Sequence, residues 1–188
     1  VGSAGFYAAA DQHYGPDEVI LEVGAERTEG STTFLAGLGV LVVVVDVDEA
    51  ALARVGNLLN VQTLHGLAEQ VLVGWQTPIR FAWLDGHDWP YDGRPEGHWD
   101  QQRAEYHARG QEYSKRASQA SHGRIAELVA PAVAPGGVVA FDDTWRVAPS
   151  TWDGKGGLAV PYLLDLGFEL VSCATDPEDA PVLLRKPA

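Results

Sequence analysis

Cysteine is almost absent from this sequence of 188 residues, with Cys173 standing alone. A single thiol closes no internal disulfide and builds no thiolate metal site, so the chain suits a reducing compartment and its expected location is cytoplasmic. Methionine is missing altogether. Basic residues are scarce: 13 Lys plus Arg stand against 26 Asp plus Glu, for a formal charge of −13. That balance repels phosphate backbones and anionic lipid, so neither nucleic acid nor a membrane is an expected partner. Long apolar runs are lacking too. The longest, residues 40–45 with their flanks, is far short of the roughly 20 residues that span a bilayer. The first residues carry no basic stretch followed by an apolar one, so no signal peptide is expected in the chain as given. Repeats and low-complexity tracts are absent as well. What remains, with 46% hydrophobic letters, is the composition of one globular domain over residues 1–188.

Short β-branched runs alternate with helical stretches. Val19–Val23 ends at Gly24, residues 40–45 at Asp46, 58–64 at His65-Gly66, Ile79–Leu84 at Asp85, and 137–141 at Asp142-Asp143. Continuous apolar runs of this length, each stopped by Gly, His or an acid, suit parallel strands buried on both faces. Helices are expected at 31–38, 48–59 with Asp48 as cap, 67–75 and 121–133. The alternation predicts a doubly wound, mostly parallel α/β sheet. In the tail, 158–166 reads as a helix, and 168–174 and 181–185 read as strands. The acidic, turn-rich link 175–180 is too short for a crossover, so these two strands must form an antiparallel hairpin. Residues 86–119 are too long for a plain connection and are rich in Trp, Tyr, His and charge. With a helix expected over 99–115 and Gly110 as its weak point, they form either an inserted lid or a surface for a homo-oligomer.

In open α/β sheets ligands sit beyond the carboxyl ends of the strands, where strand order reverses. The first such loop runs Glu22-Val-Gly24-Ala-Glu26-Arg-Thr28-Glu29-Gly30-Ser31. A dinucleotide site wants glycine where this chain has Glu26. Carboxylates at Glu22, Glu26 and Glu29 repel a pyrophosphate and suit a positively charged ligand such as a sulfonium. Asp46 ends the second strand, where an acid accepts ribose hydroxyls. The alternative is a plain glycine turn into an acidic helix start, with Asp46 solvated.

A second constellation is Asp85-Gly86-His87-Asp88 with Asp142-Asp143. Neighbouring strand ends bring these acids together, and unpaired carboxylates at close range raise one another's pKa unless a cation intervenes. Oxygen-only ligands point to a hard divalent ion, Mg²⁺ first. Alternatively Asp142 or Asp143 caps a helix and Asp85 is a loop residue. Trp89, Trp99, Trp145 and Trp152 either wall an acceptor site or staple the long segment to the sheet. Gly154-Lys155-Gly156-Gly157 either presents amides or an ammonium to an anionic acceptor group or is a flexible turn.

Taken together, 22–32, Val45-Asp46-Val-Asp48, Asp85-Gly-His-Asp88 and the Pro-Gly-Gly strand ending in Asp142-Asp143-Thr144 resemble class I S-adenosylmethionine-dependent methyltransferases. Within that class they are most similar to small metal-dependent O-methyltransferases of the catechol and macrolide-sugar type. The resemblance covers about residues 19–184. It implies a Rossmann-like seven-stranded sheet with an antiparallel final hairpin. It also implies S-adenosylmethionine held by Glu22, Gly24, Gly30, Ser31, Asp46, Gly66 and Leu67, Mg²⁺ on Asp85, Asp142 and Asp143, and a small hydroxylated acceptor. Thr28 stands where a third loop glycine is common, and Leu67 where relatives place an acid near adenine. Where the catechol branch has a lysine base this chain has Asp88, which leaves His87 and Asp88 as the catalytic candidates. In-line methyl transfer requires an aligned, nucleophilic oxygen, and a loop histidine titrating near 6.5 accepts its proton at neutral pH. The rival readings are a metal-independent methyltransferase with structural acids, an NAD-type oxidoreductase, and a binding module without activity.

Overall fold

The computed structural model describes residues 4–25, 30–90, 97, 99–173 and 181–188. Its strands are β1 (Val19–Val23), β2 (Val42–Asp46), β3 (Val61–His65), β4 (Ile79–Leu84), β5 (Val133–Phe141), β6 (Thr144–Ala148), β7 (Thr151–Gly154), β8 (Glu169–Ser172) and β9 (Val182–Arg185). Seven of them form one sheet in the order β3-β2-β1-β4-β5-β9-β8, and β6 and β7 pair separately as a hairpin. Neighbours from β3 to β5 run parallel. β9 alone is inverted, antiparallel to both β5 and β8. The expected seven-stranded, doubly wound sheet with a C-terminal antiparallel hairpin is therefore present.

The helices are α1 (Ala4–Ala10), α2 (Ser31–Gly37), α3 (Glu49–Val55), α4 (Ala68–Val71), α5 (Asp100–Ala108), α6 (Lys115–Val129) and α7 (Ala159–Asp165). Alternate strand residues feed two cores, as the period of two demands. Leu21, Val43, Leu84 and Phe141 face α6 and α7, while Ile20, Val44, Phe81 and Val138 face α1, α2 and α3. Burial on both faces explains why these strands read as continuous apolar runs rather than alternating ones.

Several elements differ from expectation. α4 is a single turn where 67–75 suggested two, since Gly74 turns the chain with φ +75°. α6 starts six residues before 121, because Ser114 Oγ caps it by accepting from the Ala117 amide at 3.1 Å. α5 stops at Ala108, ahead of Gly110 with φ +70°. α1 and the β6–β7 hairpin were not anticipated. Asp48 caps α3 as expected, accepting from Ala50 and Ala51 at 2.9 and 3.2 Å. The turn expected at 175–180 lies outside the described residues.

The strand order reverses between β1 and β4. Hydrogen bonds continue the parallel ladders past the strand ends: Gly24 N to Val45 O, Asp85 N to Val23 O, Asp142 N to Leu84 O and Gly66 N to Asp46 O, at 2.8 to 3.2 Å. This stitching aligns five loop ends on one rim. Gly24 has φ +93°, and a Cβ there would lie 2.5 Å from the Asp85 carbonyl oxygen. Only glycine lets the two central loops approach so closely.

Candidate active site

On that rim, Asp46 is 7% exposed and its carboxylate ties two loops. It accepts from the Ala25 amide and from the Asp48 amide, each at 2.8 Å. Glu22, fully buried, accepts from Ser31 Oγ at 2.7 Å, which couples β1 to the start of α2. Gly30 precedes α2 with φ +84°. Glu26, Thr28 and Glu29 lie outside the described residues. Asp46, Gly24, Gly66, Leu67, Gly86 and His87 together line one cleft. Tyr106 and Gln111, from the long 86–119 segment, also line it. The carbonyl oxygen of Gln111 is buried and has no hydrogen-bond partner. A buried orphan acceptor costs about 1–3 kcal/mol, so this side-chain oxygen has unused capacity for a donor entering the cleft.

His87 is 8% exposed. Its Nε2 lies 3.0 Å from the Glu112 carbonyl, to which only a protonated nitrogen donates, so the free lone pair is on Nδ1. Its ring lies 4.7 Å from that of Tyr106, and its own carbonyl accepts from Ser118 Oγ. Burial pushes the His87 pKa below its ordinary value, with the Glu112 bond opposing, which keeps the ring neutral at pH 7. The Asp88 amide donates to the Tyr106 hydroxyl at 2.7 Å. Tyr106, Glu112 and Ser118 thus hold the loop that carries both catalytic candidates.

Asp85, Asp88 and Asp143 each offer a carboxylate oxygen within 4.8 Å of the others. Asp142 is not in that trio; its carboxylate accepts from the Asp143 amide. The space among the three acids holds the Lys155 ammonium, whose side chain is 1% exposed. Nζ lies 2.9 Å from Asp88 and 3.0 Å from Asp143, and it is also paired with Asp85. Burial alone would lower the Lys155 pKa, but Asp85, Asp88, Asp143 and Asp142 outweigh it and hold the amine protonated, well above its usual range. Burial pushes Asp85 up, against the pull of Lys155 and with the push of Asp142, Asp88 and Asp143.

From the sequence, Lys155 is expected as a donor to an anionic acceptor group or in a flexible turn; instead it faces inward onto acids. Three local features put it there. Gly154 has φ +82° and passes so near the Asp143 carbonyl that any Cβ would collide with it. The Lys155 amide donates to that same carbonyl at 3.0 Å, and the Gly156 amide donates to Thr144 Oγ1 at 2.8 Å. Asp143 itself holds φ +43°, a conformation costly for a residue with a Cβ. A lysine set among glycines was the available signal; its partners lie across a hairpin that the sequence did not reveal. Of the tryptophans, Trp89 and Trp152 are buried at 3% and 7%, and Trp152 packs in the α6–α7 core with the Arg146 guanidinium 5.5 Å from its ring centre. Neither lines the cleft that holds Asp46 and His87.

The same fold occurs in solved structures. An rRNA methylase from Streptococcus thermophilus matches with a TM-score of 0.54 at 18% identity, over 97% of this chain and 93% of that one. A TehB-like SAM-dependent methyltransferase from Corynebacterium glutamicum matches with 0.57 at 10% identity, over 98% and 88%. TrmN from Thermus thermophilus matches with 0.55 at 15% identity, over 97% and 47%. At such identities the likeness establishes the fold alone: a Rossmann-like fold shared with S-adenosylmethionine-dependent methyltransferases. No protein-family model and no curated protein matches the chain.

Proposed function

We propose that this chain is an S-adenosylmethionine-dependent methyltransferase acting on a hydroxyl of a small acceptor. The observation that carries the reading is a cleft at the switch point lined by both the doubly anchored Asp46 and the neutral His87. An acid able to accept ribose hydroxyls and a proton acceptor thus share the space where a nucleoside cofactor lies in sheets of this type. Asp46 would hold the ribose, Glu22 and Ser31 the methionine end, and Gln111 Oε1 an amine of the ligand. When bound, the cofactor supplies a methyl group on a sulfonium sulfur, which leaves sulfur as it bonds to the acceptor oxygen. His87 Nδ1 takes the acceptor proton, with Glu112 holding the tautomer and Asp88 and Tyr106 fixing the loop. The surplus of carboxylates favours a sulfonium over a pyrophosphate. A formal charge of −13 disfavours RNA as acceptor and supports a small molecule. The divalent ion expected from the sequence is not part of this proposal, because Lys155 fills the space among the acids.

Calorimetry with S-adenosylhomocysteine and, separately, NAD⁺ tests the reading. One homocysteine-nucleoside site per chain is expected, weakened about 10–100-fold in Asp46→Ala, which removes a charged acceptor worth about 1.5–3 kcal/mol. Binding of NAD⁺ with none of the sulfur nucleoside would replace methyl transfer by an oxidoreductase reading.

A further inference from the structure

We propose that the Lys155 ammonium is the resident cation of the Asp85–Asp88–Asp143 cluster, standing where a divalent ion would bind, so that this centre works without metal. The inference rests on the reading above only in calling the cluster a reaction centre. Its basis is the filling of the site. Three carboxylates present oxygens within 4.8 Å of one another, and Nζ lies within 3.0 Å of an oxygen from each. An ammonium has three donors and no acceptor, so three carboxylates use it completely. A magnesium ion would need the same oxygens at about 2.0–2.1 Å. Ion and ammonium would then overlap in space and repel in charge, and one excludes the other.

The lysine is built in rather than swung in. Its side chain is enclosed, at 1% exposure, while those of Asp85, Asp88 and Asp143 remain 30 to 33% exposed. Its backbone is pinned to the Asp143 carbonyl, and Gly154 and Gly156 both lie where added side chains would strike the Asp143–Thr144 turn. Withdrawing Nζ would break three ion pairs of an enclosed side chain. Lys155 thus acts as a positioning residue: it joins the loop ends of β4 and β5 to the hairpin and sets the orientation of Asp88 beside His87. One positive charge against the neighbouring acids leaves the cluster net negative, which is why removing the ammonium should open a strong divalent site.

The test is Mn²⁺ binding followed by electron paramagnetic resonance on the whole chain, for wild type, Lys155→Met and Asp85→Asn. Wild type should bind no stoichiometric Mn²⁺, and K155M should bind one ion per chain at least about tenfold more tightly than wild type. One Mn²⁺ per wild-type chain, lost in D85N, would overturn the proposal, as would a folded K155M with no gain in affinity. If K155M does not fold by circular dichroism, the wild-type and D85N arms decide alone: absence of a stoichiometric ion supports the proposal. Calorimetry with S-adenosylhomocysteine on the same samples separates this outcome from the fate of the methyltransferase reading.

Discussion

At the scale of single residues, the buried polar groups carry the account. His122 on α6 is fully buried, and its Nδ1 lies 2.9 Å from the Ser118 carbonyl while Nε2 has no partner. Burial pushes its pKa down from 6.5 to about 3, with Lys155 adding to the shift and Asp88 opposing it. The folded protein therefore refuses a proton that the unfolded chain accepts. Its stabilising contribution is whole above pH 6.5 and is lost progressively as pH falls toward 3. Urea unfolding should give about 1 kcal/mol less stability at pH 5.5 than at pH 7 from this group, and His122→Gln should remove that part of the loss. An unchanged pH slope in the variant would assign the effect elsewhere. His87, also shifted down, adds to the loss in both proteins. Candidate site residues of this kind were legible in part. Asp46, Asp85 and Asp143 announced themselves at the ends of apolar runs, a local signal, and Asp88 followed Asp85 by three residues. The Lys155 partnership was not legible, since it depends on a hairpin turn at Pro149-Ser150 closing over residues distant in sequence. Gln111 was equally hidden, because nothing in its neighbourhood marks an orphan carbonyl.

Among elements, the strands were the easiest to read and the helices the hardest to bound. β1, β2, β4 and β5 lie between two cores, so most of their side chains are apolar and the run itself is the signal. α6 resisted because its first turns, Lys115 to Gln119, are mostly polar: Ser118 is buried through its bond to the His87 carbonyl and not through an apolar face. The helix depends there on its cap. Ser114→Ala should cost about 1 kcal/mol, seen as a fall of about 2–4 °C in Tm, while Ser114→Asp should preserve both. An Ala variant as stable as wild type would show that tertiary packing, not the cap, starts the helix. The cap matters to the site as well, because α6 begins just after Glu112, the residue that holds the His87 tautomer.

For the molecule as a whole, parallel strands and their ladder bonds gather loops from β1, β2, β3, β4 and β5 onto one rim. Tyr106, from α5, and Gln111, just beyond it, line the cleft at that rim. Among the described residues no helix is long and apolar enough to cross a membrane. The account makes one spatial demand of the whole structure: the cofactor must lie across the switch point with its ribose at Asp46 and its sulfur toward His87 and the lysine-filled acid cluster. A crystal structure of the chain grown with S-adenosylhomocysteine tests that demand most directly. The account predicts both ribose hydroxyls on the Asp46 carboxylate, an amine of the base on Gln111 Oε1, and the Lys155 ammonium still seated among Asp85, Asp88 and Asp143. A ligand bound away from this cleft, or in it with the ribose turned from Asp46, would contradict it.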